Sequence, residues 1–206
     1  GDSTPVFYEE KNRFHKVHDA FTTKNTSGKP IVSTKRCKGV IYIIRNPLDV
    51  AVSLSYFFSK DLESSLKFLL NKDASIGDLG RFREKQLKQY LGTWSNHVNS
   101  WINQKEIPVL TVRYEDLLNK GDFYFPQIAS FLGISNNNKA INLAIKNSSF
   151  SVVKKKEKLY GFRENSDGNQ SFFRKGKIGE GKQRISLKYQ KLICNEFKDL
   201  LRKFDY

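Results

Sequence analysis

Three groups of side chains in this 206-residue sequence are suited to chemistry. The first is Lys16-Val17-His18, a cation two residues from an imidazole. Alternation along an extended segment would place Phe14, Lys16 and His18 on one side and His15 and Val17 on the other. The ammonium and the His18 imidazole would then point together. An imidazole, with an ordinary pKa of about 6.5, can carry or accept a proton near neutral pH. A pair of neighbouring histidines also serves as a plain structural or surface feature, and Asp19 could instead turn the chain. The second group is Arg45 with Ser53. Arg45 follows the apolar run Val40 to Ile44 and precedes Asn46-Pro47, so it stands between a strand and a helix start, where an anion is readily held. An ordinary strand-to-helix corner with a surface arginine fits the same residues. The third group is the polar segment Tyr160 to Lys182. Gly176, Gly179 and Gly181 there allow close backbone approach, and Arg174, Lys175, Lys177 and Lys182 bring positive charge, a combination suited to an anionic ligand.

The elements that must position these groups follow from periodicity. The unbroken run Val40 to Ile44 predicts a parallel strand covered on both faces. Asn46 as N-cap, Pro47 at the first helical position and Asp49 at the third predict a helix beginning at Pro47. A short helix is expected over 61–70 and a loop over 71–80. The spacing of Leu87, Tyr90, Leu91, Trp94, Val98, Trp101 and Ile102 predicts one helix over 80–105, with Gly92 and Thr93 weakening its middle and His97 a polar residue at the edge of its packed face. Pro108 to Tyr114 reads as a second strand, after which Glu115 and Asp116 begin a short helix. Strand, helix and strand in this order predict an α/β architecture with a parallel sheet, whose ligands bind beyond the strands' carboxyl ends, where Arg45 and Tyr114 stand. Further helices are expected over 123–132, 139–146 and 186–204. The run Lys154, Lys155, Lys156 and Lys158 reads as a solvated face.

Composition bounds the partners. Hydrophobic residues make up 38% of the chain and its net charge is +15, which suits a globular protein with an anionic partner: nucleotide, nucleic acid, acidic glycan or membrane surface. The length predicts one domain over 1–206. Cys37 and Cys194 match no metal-ligand spacing and read as free thiols of a reducing compartment. No apolar run approaches the ~20 residues of a membrane span, and the first residues match no targeting signal, so a cytoplasmic protein without a membrane partner is expected.

Taken in order, several segments resemble the soluble sulfotransferases that use 3′-phosphoadenylyl sulfate (PAPS) and release adenosine 3′,5′-bisphosphate (PAP). YIIRNPLDVAVSLSYFF is similar to that family's 3′-phosphate motif, which implies that Arg45 and Ser53 grip the phosphate. FFRKGKIGEGK is similar to its carboxyl-terminal RKG motif, with Arg174, Lys175 and Gly176 closing over the same group. VRYED implies that Tyr114 meets the adenine, and NSSF implies that Ser149 and Phe150 line its pocket. KVH resembles the family's Lys-x-His segment, making His18 the catalytic base and Lys16 its cationic neighbour. The resemblance further implies a three-layer, doubly wound sheet of the P-loop NTPase-like kind, a small-molecule hydroxyl or amine as acceptor, no nucleic-acid partner and no metal. Sulfuryl transfer, like phosphoryl transfer, rests on positioning and on cations that offset leaving-group charge.

Two departures accompany the resemblance. The family's phosphosulfate loop precedes its catalytic histidine by many tens of residues, whereas 17 residues precede His18 and none forms such a loop. A fragment without that segment is expected, given the start at Gly1; the alternative is a non-catalytic nucleotide- or polyanion-binding module that keeps only the 3′-phosphate site. The family's dimerisation motif is also altered, with Ser186, Leu187 and Lys191 after Lys182, which leaves the oligomeric state open. The acceptor pocket is expected around Phe57, Phe58 and residues 61–80.

Overall fold

Strand β1 (Val40–Ile44) leads through Arg45 and Asn46 into helix α1 (Pro47–Phe57), as the strand-turn-helix signal predicts. The computed structural model describes residues 13–23, 28–77, 88–134, 137–162 and 171–206. Asn46 caps α1 by accepting from the Leu48 N–H at 2.9 Å, with Pro47 at the first helical position where no N–H is needed. Leu48, Ala51, Val52 and Ser55 are buried at helical spacing, so one face of α1 enters the core. Helix α2 (Leu62–Leu70), capped by Asp61 through Ser64 N–H, follows as expected.

The structure departs from the sequence reading in the next segment. Ser75–Ile76 (β2) pairs antiparallel with Gln89–Tyr90 (β3), and α3 covers only Trp94–Ile102. The predicted helix over 80–105 is therefore shorter; its residues 80–87 lie outside the described ones. Gly92 has φ +67°, which an α-helix cannot contain, and Thr93 is the N-cap, accepting from Asn96 N–H at 3.0 Å. The two residues read as a weak middle are the helix's start. The buried face of α3 is Trp94, Val98 and Trp101.

Strand β4 (Val109–Arg113) lies parallel to β1, with Ile44 opposite Arg113, so the fold is α/β with a parallel sheet. Among the described residues this sheet has two strands. Consequently β1 is not covered on both faces as predicted: Ile44 is buried, while its neighbour Ile43 is 54% exposed. Helices α4 (Tyr114–Asn119), α5 (Gly121–Phe131), α6 (Asn138–Asn147) and α7 (Phe150–Tyr160) follow. The basic run lies on α7. The segment predicted as an irregular stretch over 160–182 contains the start of helix α8 (Glu180–Arg184), and its residues 163–170 lie outside the described ones. The last expected helix is two, α9 (Leu187–Glu196) and α10 (Lys198–Lys203), meeting at buried Phe197, which packs on Trp94 with ring centroids 5.1 Å apart. Ile44, Val52, Leu66, Trp94, Val98, Ile193 and Phe197 share one core, which joins β1 to helices from both halves of the chain.

Residues 14–18 form no strand. A strand needs a partner for its backbone groups, and here the backbone is instead held at its far end by side chains of α3, while Phe14 to His18 are exposed.

Candidate functional site

Parallel register sets the first feature of the site. Because Ile44 faces Arg113, Arg45 and Tyr114 are the next residues beyond the two strand ends, and the Arg45 guanidinium lies over the Tyr114 ring, 4.5 Å from its centroid. From there Arg45 donates to Ser53 Oγ at 3.1 Å and to the Lys177 carbonyl at 3.3 Å. Both of these partners are neutral acceptors, and Nε is buried without a hydrogen-bond partner. A guanidinium bonded only to neutral acceptors keeps its full charge available to an anion.

The loop that carries Lys177 is tied down by two acids whose roles sequence reasoning missed. Asp49 was read as part of a local cap. It is buried, and its two oxygens accept from the Gly179 and Gly181 N–H groups at 2.7 Å each. Gly181 is packed so closely on α1 that an added Cβ would stand 2.4 Å from the Leu48 carbonyl carbon, which explains the glycine. Glu180 accepts from Arg174 through both oxygens, from Lys175 Nζ at 3.0 Å and from Arg184 at 3.3 Å. The hydrogen bonds from Arg174, then those from Lys175, hold the Glu180 carboxyl at about 2 against burial, which opposes them. The signal for this clasp was an acid among cations, with spacing too irregular to identify which cation it would meet.

Arg174 also lies over Tyr56, 4.1 Å from the ring centroid, one helical turn beyond Ser53. Gly176 has φ +59°, and a Cβ there would lie 2.3 Å from the Phe150 ring, so the glycine permits both the turn and the contact with Phe150. Lys154, placed by sequence on a solvated face, donates to the Arg174 carbonyl at 3.0 Å. Ser149 is the residue before α7, its hydroxyl 3.4 Å from that of Ser151. The structure thus gathers Arg45, Ser53, Tyr114 and the 176–177 backbone, with Phe150 against Gly176. Arg174 and Lys175 sit on the adjoining Glu180 clasp instead of beside Arg45.

Lys16 and His18 lie on the exposed segment before Asp19. The His18 backbone is held by His97, whose Nε2 is 2.9 Å from the His18 carbonyl and whose Nδ1 is 2.8 Å from the Tyr42 hydroxyl. Tyr42 lies three residues before Arg45 on β1, ~10 Å along the strand. Burial lowers the His97 pKa, which favours the neutral ring. Around Phe57 and Phe58, where an acceptor pocket was expected, the rings of Phe57, Phe58 and Phe68 contact one another.

The family model for the sulfotransferase domain matches residues 8–205. The chain belongs to the sulfotransferase family. It is 30% identical to sulfotransferase 2A6 of Rattus norvegicus over 80% of this chain and 57% of that protein. It is likewise 30% identical to the 3-beta-hydroxysteroid sulfotransferase of Cavia porcellus, over 72% of this chain and 50% of that protein. The chain spans about half the length of the curated relatives it matches. Mouse sulfotransferase SULT7A1 complexed with PAP aligns with a TM-score of 0.63 and 26% identity, covering 88% of this chain and 64% of that one. Retinol dehydratase in complex with androsterone and the inactive cofactor PAP shares the fold at a TM-score of 0.66 and 22% identity, covering 95% of this chain and 55% of that one. The described residues of this sulfotransferase-family chain contain no cluster of His, Cys, Asp or Glu able to hold a metal and no helix long and apolar enough to cross a membrane.

Proposed function

We propose that this chain serves a cytoplasmic sulfotransferase that moves a sulfuryl group from PAPS to a hydroxyl or amine of a small molecule, with residues 1–206 forming one domain. The observation that carries the reading is Arg45: a guanidinium at a strand end, joined to Ser53 and stacked on Tyr114, with its Nε donor unused. Arg45 and Ser53 would hold the 3′-phosphate, and Tyr114, Ser149 and Phe150 would border the adenine. Arg174, Lys175 and Gly176 would close over the phosphate from the Glu180 clasp. PAPS supplies an activated sulfuryl group when bound. His18 would take the acceptor's proton as the acceptor oxygen or nitrogen attacks sulfur, and Lys16 would offset negative charge developing at the transferred group. The relatives' steroid names favour an alcohol among the possible acceptors.

The test uses the natural protein with labelled PAPS and a panel of phenols, steroid alcohols and amines. Label should reach an acceptor, and His18→Ala should abolish turnover while PAP affinity stays within about twofold, since removing a general base costs ~100-fold or more in rate. Donor binding with no acceptor labelled would favour the non-catalytic module. Turnover retained in His18→Ala would remove His18 from the role of base.

A further inference from the structure

One face of α3 holds the backbone that carries His18. His97, Ser100 and Trp101 are spaced i, i+3 and i+4, so they lie together on the helix. His97 Nε2 meets the His18 carbonyl at 2.9 Å, Trp101 Nε1 donates to the Asp19 carbonyl at 3.0 Å, and Ser100 Oγ accepts from Phe21 N–H at 2.9 Å. Asp19 adds a fourth tie by accepting from Tyr90 N–H at 3.1 Å. The chain therefore changes at His18 from an exposed segment to one fixed against the core.

The hydrogen bonds of His97 determine its tautomer. A carbonyl can only accept, so the bond to His18 requires a proton on Nε2. In the neutral ring Nδ1 is then an acceptor, and the Tyr42 hydroxyl donates to it at 2.8 Å. Tyr42 is largely buried and its ring stacks on His97 at a centroid distance of 5.7 Å, which restricts rotation of the imidazole. In a protonated ring Nδ1 would donate and the Tyr42 hydroxyl would accept, while Nε2–H kept its bond to the His18 carbonyl.

We propose that His97 is a positioning residue for the reaction centre: by holding the His18 carbonyl, with its ring steadied by Tyr42, it fixes the peptide from which the His18 imidazole projects. The proposal rests on the reading of His18 as the base. It gives α3 a task beyond packing and ties the base to β1, the strand that also delivers Arg45. An error of about 1 Å in the base's position can cost up to ~100-fold in rate, which is the scale on which such an anchor acts.

Two measurements test it. Long-range 1H–15N correlation on the protein should show His97 as the neutral Nε2–H tautomer near pH 7; the Nδ1–H tautomer would overturn the proposal. In the natural protein, His97→Ala should lower kcat about tenfold or more with donor KM within about twofold, and His97→Gln, which keeps an N–H donor at similar reach, should recover most of it. Unchanged kcat in His97→Ala, or a parallel loss of kcat and donor affinity that glutamine does not restore, would overturn it. If His97→Ala does not fold, Tyr42→Phe is the deciding variant: reduced kcat with donor KM within about twofold supports the proposal, and wild-type kcat, or a parallel loss of kcat and donor affinity, overturns it. His18→Ala, assayed alongside, isolates the underlying reading. Activity retained there defeats the base assignment, whatever the tautomer of His97.

Discussion

Replacing Glu180 by glutamine removes the acid that gathers Arg174, Lys175 and Arg184, and its consequence can be worked from the clasp itself. The Glu180 side chain is 10% exposed, and hydrogen bonds from Arg174 place its pKa at about 2 against an ordinary 4.5. The folded state thus binds this proton less readily than the unfolded chain does. The group's contribution to stability is fully present above about pH 4.5 and is lost as pH falls toward about 2. The difference corresponds to about 3 kcal/mol at neutral pH. Lys175 and Arg184 stand partly in solvent, at 50% and 37% exposure, so this is an upper value. Urea unfolding followed by circular dichroism at pH 7, 5, 4 and 3 gives the check. Glu180→Gln should be less stable than the parent at pH 7 by up to about 3 kcal/mol, and the gap should narrow steadily below pH 4.5. A gap that is absent at pH 7, or that persists undiminished at pH 3, would refute the reasoning.

Arg45→Ala should weaken PAP by about 1.5–3 kcal/mol, roughly 10- to 150-fold, because charge-assisted hydrogen bonds to the phosphate are lost; titration calorimetry reads this directly. Gly181→Ala drives a methyl into the Leu48 backbone, which cannot move aside as a side chain would. A loss of about 1–3 kcal/mol is expected, lowering Tm by several degrees in a thermal melt. Gly176→Ala meets the Phe150 ring as well as an unfavourable φ, and should reduce PAP affinity with a smaller loss of stability, since Phe150 can rotate away where backbone cannot.

Local signals were legible where the chain's own chemistry decided the outcome. Arg45, Asn46 and Pro47 identify the strand end, the cap and the helix start within three residues, and the structure follows them. Periodicity misled where a stop signal lay inside an apolar stripe: Leu87 to Ile102 keeps helical spacing, yet Gly92 in the left-handed region interrupts it. Long-range ties were not legible at all. Asp49 is an unremarkable acid in a first helical turn until Gly179 and Gly181 bring their N–H groups to it. Glu115 similarly looked like an acid tolerated at a helix start, but it is buried, accepting from Asn46 N–H at 3.0 Å and from the Tyr206 hydroxyl at 2.9 Å. No spacing rule connects residues 91 positions apart; their pairing follows from the fold.

These ties converge on the first turn of α1, and that convergence bears on how the site would meet an anion. Glu115 holds Asn46 from β4's end, Asp49 holds the 179–181 backbone, and Arg45 reaches Lys177. Two distant stretches, the end of β4 and residues 177–181, are therefore tied to one strand-to-helix corner by acids that accept mainly from backbone N–H groups, leaving the Arg45 guanidinium unpaired with either acid. Arg174 and Lys175 are differently placed, since Glu180 already occupies donors of both. A phosphate arriving at this corner would meet an Arg45 guanidinium bonded to neutral acceptors, whereas recruiting Arg174 or Lys175 requires it to compete with a carboxylate that those cations stabilise. On the proposed reading, most of the phosphate affinity is expected from Arg45 and Ser53, and the contribution of the Arg174 segment depends on how far the Glu180 clasp yields.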